Sequence, residues 1–66
     1  MKNEIRVERA KVKMTQQELA DRVGVSRQTI NSVELDRYIP STVLALKIAA
    51  VFQTTVNNLF ELEEGD

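Results

Sequence analysis

Gln16–Val33 reads QQELADRVGVSRQTINSV, and its spacing decides the fold. Thr15 followed by Glu18 is a capping-box pattern, with a hydroxyl at the N-cap and a carboxylate three residues on. It starts a helix with Leu19, Ala20 and Val23 on one face at helical spacing. Gly24 interrupts that helix and supplies the positive φ that a tight turn between crossed helices requires. Val25 plugs the corner, and Ser26 is the next N-cap. Ile30 and Val33 form the buried stripe of a second helix. Ala20 is small, which lets that second helix seat closely where the two cross.

The far side of the second helix is polar. With about 3.6 residues per turn, Gln28, Asn31 and Ser32 point roughly away from Ile30 and Val33, and Arg27 lies on the flank. Amides of Gln and Asn pair bidentately with adenine, and Arg pairs with guanine. A polar outer face is ordinary for any surface helix. Its position, one turn-glycine after a capped and Ala-bearing helix, points it toward base edges in a DNA major groove.

TQQELADRVGVSRQTINSVE, followed by RYIPSTVLALKIAAVF, resembles the Cro/repressor-type (Xre-like) helix-turn-helix family from about Asn3 to Leu62. Gln16, Leu19, Ala20, Gly24, Val25, Ser26, Ile30 and Glu34 stand in that family's register. The resemblance implies an all-α, lambda-repressor-like domain of five short helices, with the recognition helix starting at Arg27. It implies that Gln16 contacts a phosphate and braces that helix. The expected DNA-facing set is Gln16, Ser26, Arg27, Gln28, Thr29, Asn31, Ser32, Arg37 and Tyr38, the last two by their place beside the recognition helix, with a partly buried packing role as the alternative for Tyr38. Arg9 and Glu34 match positions that often form an ion pair in the family. Many relatives carry an aliphatic residue where this chain has Glu8, so Glu8 is expected at the margin of the core or paired with a base.

Sixty-six residues suggest one small domain over 1–66, with the helix-turn-helix at about 16–35 and a solvated acidic tail at 61–66. A core that small leaves a thin stability margin. The chain has no cysteine, which excludes disulfides and thiolate metal sites and fits a reducing cytoplasm. The start, MKNEIRVERA, is too charged for a signal peptide, and no apolar run is long enough to span a membrane. Net charge is −1, but it is unevenly spread. Residues 1–47 hold all nine Lys and Arg against six acids, a net +3, while residues 48–66 hold four acids and no base. Local potential attracts phosphate, so the asymmetry matters more than the total.

Outside the central motif the pattern is coarser. A first helix is expected from Lys2 or Asn3 to Val12, on a ragged stripe of Ile5, Val7, Ala10 and Val12, with Met14 packing behind it. Asp36 stands where relatives often have Gly, and Asp tolerates the left-handed region. Pro40 bars a helix at Ile39, and Ser41 caps a fourth helix, Thr42 to Phe52. Leu35 and Ile39 are unusual in a solvent loop, as packing residues or as a contact to a thymine methyl. The fourth helix is apolar almost all round, as in a central or partner-shared helix. Thr55 caps a last helix carrying Val56, Leu59 and Phe60; a strand at Phe60 to Glu63 is an alternative not adopted. A homodimer seam is expected at Val56, Leu59 and Leu62, with Phe52 and Phe60 bridging core and seam.

These features favour a transcriptional regulator, a repressor in the first instance, bound as a homodimer to a near-palindromic operator in double-stranded DNA. An antitoxin-like or adaptor module with a protein partner is the alternative. No enzyme is expected: the chain has no His, no Cys and no Gly-rich phosphate loop. No cofactor, metal or membrane partner is expected either, and the residues leave any small-molecule effector open.

Overall fold

The computed structural model describes all 66 residues, Met1–Asp66. Five helices follow one another, α1 (Ile5–Lys11), α2 (Gln16–Val23), α3 (Arg27–Glu34), α4 (Thr42–Val51) and α5 (Val56–Leu59). Two short strands, β1 (Lys2–Asn3) and β2 (Phe60–Glu61), pair antiparallel and join the ends of the chain. No helix is long and apolar enough to cross a membrane.

The helix starts follow the side chains that precede them. The Thr15 hydroxyl accepts the Glu18 N–H at 3.0 Å, and the Thr15 N–H donates to the Glu18 carboxylate at 3.1 Å, a complete capping box. Ser26, Ser41 and Thr55 each cap the helix that follows with the hydroxyl half of that arrangement alone, accepting the N–H three residues on. The helix ends share a device as well. Lys13, Gly24, Asp36 and Gln53 all have positive φ, from 54° to 78°. After α1, α3 and α4 the paired reverse bonds of a Schellman turn are present: Met14 to Arg9 and Lys13 to Ala10, Arg37 to Ser32 and Asp36 to Val33, Thr54 to Ala49 and Gln53 to Ala50. Asp36 therefore occupies the left-handed conformation expected of it.

The core is wholly apolar. Ile5, Met14, Leu19, Ala20, Val23, Ile30, Val33, Leu44, Ala45, Ile48, Ala49, Leu59 and Phe60 form one cluster, and no charged or polar side chain is buried in it. α2 packs against both α3 and α4. α4 buries Leu44, Ala45, Ile48 and Ala49 and leaves Val43 and Leu46 exposed, so its outer side is apolar surface.

The amino-terminal region differs from the expectation in two ways. Lys2–Asn3 is a strand, and the helix begins only at Ile5. Asn3 explains the boundary. Its Oδ1 accepts the Ile5 N–H, while its Nδ2 donates to the Val33 carbonyl and the Asp36 carboxylate. Opposite it, Phe60 leaves α5 and becomes β2, so the strand passed over in the sequence is real, though only two residues long. The stripe read on α1 is also mistaken. Val7 and Val12 are 48% and 59% exposed, and Ala10 is exposed too, so only Ile5 is buried. The inward face of α1 continues through Arg9, which bonds polar groups at the rim of the core. Glu8 sits at the margin, 3.3 Å from Lys11. The acidic end is exposed but tethered: the Met1 ammonium lies 3.1 Å from Glu63 and 3.2 Å from Asp66.

Two outcomes are expected. A non-glycine residue at positive φ is strained, and Gln53 makes no side-chain hydrogen bond that would compensate. Gln53→Gly should raise stability by about 0.5–1 kcal/mol in denaturant titration, the relief of strain exceeding the added freedom of the unfolded chain. An unchanged or lowered midpoint would mean the turn carries no strain. The second concerns pH. Hydrogen bonds from Thr15 hold the Glu18 carboxyl below its ordinary 4.5. Its support of α2 is therefore complete above that value and fades as pH falls through the lower, folded one. Glu18→Gln should flatten this part of the acid-unfolding slope, whereas an identical slope in both proteins would exclude the carboxylate as a source.

Candidate nucleic-acid interface

The Ser26 cap and the left-handed Gly24 present α3 to solvent along one side. Ile30 and Val33 are buried, Arg27 and Gln28 are exposed, and Thr29, Asn31 and Ser32 are half-buried. Two open depressions flank the helix. Gln28, Thr29, Ser32, Arg37 and Tyr38 line the first, so these five expected contact residues do converge. Ser26 is occupied differently. Its Oγ accepts the Thr29 N–H at 3.1 Å and lies 3.0 Å from the Thr29 hydroxyl, so both hydroxyls are engaged in starting the helix.

Arg6, Arg9, Gln16, Asn31, Glu34 and Leu35 line the second depression. Arg9 is its fixed point. Its Nε and Nη2 donate to the two Glu34 oxygens at 2.7 and 2.9 Å, and its Nη1 donates to the Met14 carbonyl at 2.9 Å. Both side chains are largely sheltered, at 15% and 6% exposure. The hydrogen bonds to Glu34 push the Arg9 guanidinium further above its ordinary value, so it stays charged at every pH at which the chain folds. Gln16 bridges outward from this pair. Its Nε2 donates to Glu34 at 3.3 Å and to Asn31 at 3.1 Å, and its Oε1 accepts from Arg27 at 3.3 Å.

Arg6 is an addition to the expected surface, and Leu35, read as a packing residue or a methyl contact, stands beside it. Arg6 lies three residues before Arg9, a spacing that places two residues on one helix face, and this was the available signal. The apolar residues are distributed otherwise than the sequence suggested. Leu59 and Phe60 are 1% and 8% exposed inside the chain's own core and offer almost no surface to another molecule. Phe52 and Val56 are half-buried and Leu62 is exposed. Ile39 does not join the Leu35 side; with Pro40, Leu46, Val56 and Phe60 it lines an apolar depression next to α4.

The sequence that builds this geometry has relatives among known proteins. Residues 5–59 match the helix-turn-helix family. The chain belongs to the Xre-type helix-turn-helix family. It is 48% identical over 66 residues to an uncharacterized HTH-type transcriptional regulator of Archaeoglobus fulgidus, covering 100% of this chain and 93% of that one. It is 42% identical over 64 residues to another from Bacillus subtilis, covering 97% of each. A third such protein, from Methanocaldococcus jannaschii, is 42% identical over the full length of both.

Removing one partner of a sheltered ion pair leaves the other uncompensated. Glu34→Ala should therefore cost on the order of 3 kcal/mol. For a domain of this size each kcal/mol moves the melting temperature by about 4–8 °C. Glu34→Gln, which still accepts one hydrogen bond from Arg9, should fall between. A Glu34→Ala melting curve that overlays the native one would show that the pair contributes nothing.

Proposed function

We propose that this protein is a sequence-specific DNA-binding transcriptional regulator that inserts α3 into the major groove. The observation that carries the reading is the convergence of Gln28, Thr29, Ser32, Arg37 and Tyr38 on one open side of α3, while Arg9, Glu34 and Gln16 brace its other side. Gln28 is the exposed amide of α3 and reads a base. Arg27 sits at the amino-terminal turn of α3, where base edges are met. Arg37, Tyr38 and the main-chain N–H of Gln16, at the first turn of α2, hold the backbone and so fix the docking angle without reading sequence. The family is one of DNA-binding transcription regulators, and the relatives are HTH-type transcriptional regulators.

The protein acts as a homodimer on a near-palindromic operator, and as a repressor by occupying it. Exposed Ile39 and Leu46 support the dimer, since they line one apolar depression beside α4, and exposed Val43 stands one helical turn before Leu46. Its seam then runs through these residues with Val56. Leu59 and Phe60 support it from within the core. The same reading puts the protein in the cytoplasm with its operator.

Selection of bound duplexes from a random pool at physiological salt tests this. An inverted repeat with half-sites one helical turn apart is expected. A folded protein that enriches nothing would overturn the reading in favour of a protein partner. On the selected duplex, Gln28→Ala should cost about 1–3 kcal/mol and relax one or two positions. Arg37→Ala should weaken all duplexes alike and reduce the salt slope by about one. An undiminished slope would remove Arg37 from the phosphate contacts.

A further inference from the structure

We propose that Asn31 meets DNA only as a hydrogen-bond donor, its amide orientation set by a relay that begins at Arg9. The proposal rests on the DNA reading above and adds a specificity rule to it. A guanidinium has donors and no acceptor, and a carboxylate has acceptors and no donor. Arg9 therefore fixes Glu34 as the bidentate carboxylate, with contacts at 2.7 and 2.9 Å. Glu34 Oε1 lies 3.3 Å from Gln16 and accepts only, so Gln16 must turn its NH2 group inward. Arg27, 3.3 Å from the other end of the same amide, donates only and so demands the Gln16 oxygen there. Two charged groups thus impose one orientation on Gln16 from opposite sides.

The second N–H of that NH2 group goes to Asn31, at 3.1 Å. Asn31 must then offer its oxygen to Gln16, and its own NH2 is left without a protein acceptor, on the open depression beside α3. An asparagine that reads adenine bidentately presents oxygen and nitrogen together to the base edge. Asn31 has its oxygen turned inward, so only N–H groups face outward. Base-edge acceptors suit it: guanine N7 and O6, thymine O4, adenine N7. The cytosine N4 amino group, itself a donor, opposes it.

The test is parallel duplex selection with the native protein, Asn31→Asp and Asn31→Ala, at one salt concentration, together with side-chain amide exchange by NMR on the free protein. In the native profile one position of each half-site should be depleted in cytosine roughly fivefold or more, the effect of one misplaced hydrogen bond. Asn31→Asp keeps an oxygen for Gln16 and replaces the outward donor by an acceptor, so the same position should shift toward cytosine over a generally weaker affinity. Asn31→Ala should lose the preference there and nowhere else. Unchanged profiles in both variants, or an even loss on all sequences, would overturn the proposal and leave the DNA reading standing. A native protein that enriches no duplex would remove both. In the free protein the Gln16 NH2 should exchange slowly and the Asn31 NH2 fast; the reverse order would overturn the relay whatever DNA does.

Discussion

The contact between Arg9 and Glu34 is the constraint from which the remaining arrangement follows. Three donors of one guanidinium hold the end of α3, through both Glu34 oxygens, and the corner after α1, through the Met14 carbonyl. The core supplies cohesion, but the hydrophobic attraction among its thirteen apolar side chains is non-directional. A planar fork matched to a carboxylate cannot slide. Its partial shelter matters as well. A fully exposed pair would be screened to little value, and a fully buried one would lose in desolvation most of what it gains. At the rim of the core the two effects are balanced, and α1 is oriented against α3 even though α1 buries only one apolar side chain.

The turns impose a second constraint. In 66 residues the chain reverses four times, and at each reversal one residue enters the left-handed region. Only one of those four is glycine. That glycine separates α2 from α3, and no atom stands near the place its side chain would take. Its requirement is therefore conformational and owes nothing to crowding. Asp36, which ends α3, is held in place by the Asn3 amide, so the strained residue nearest the reading helix is tied down from outside. Lys13 and Gln53 have no such tie.

The legible parts of the fold were those encoded within a few residues. Thr15 with Glu18, Gly24 and Ser26 specify α2, the turn and the start of α3 because each acts on backbone groups at most three or four positions away. The ion pair spans 25 residues and was legible only through the family's register. The strand pair was not legible, since two residues are too few to show alternation, and Asn3 reveals its role only when Val33 and Asp36 lie beside it. Two residues of the expected seam lie in the core for a related reason. Helical spacing identifies Leu59 and Phe60 as apolar, but whether they face the chain's own α4 or another molecule depends on where the chain folds back. On the reading face, residue type marked Gln28 and Asn31 as equals. The network divides them, leaving the Gln28 amide free and committing one end of Asn31.

The loop from Leu35 to Ser41 runs between the proposed reading face of α3 and the apolar surface beside α4. Leu35 lies on the Arg6 and Gln16 side, Arg37 and Tyr38 face the Gln28 side, and Ile39 turns to the apolar depression by α4. The loop is short and fixed at several points: Asp36 by Asn3, Pro40 by burial, and Ser41 by its cap on Leu44. It therefore has little freedom to change the distance between the reading face and the apolar face. If a second copy covers Ile39, Val43 and Leu46, the spacing of the two reading helices is set by the fold of each subunit. The operator must then match the dimer, and the half-site separation is a property of this loop as much as of α3.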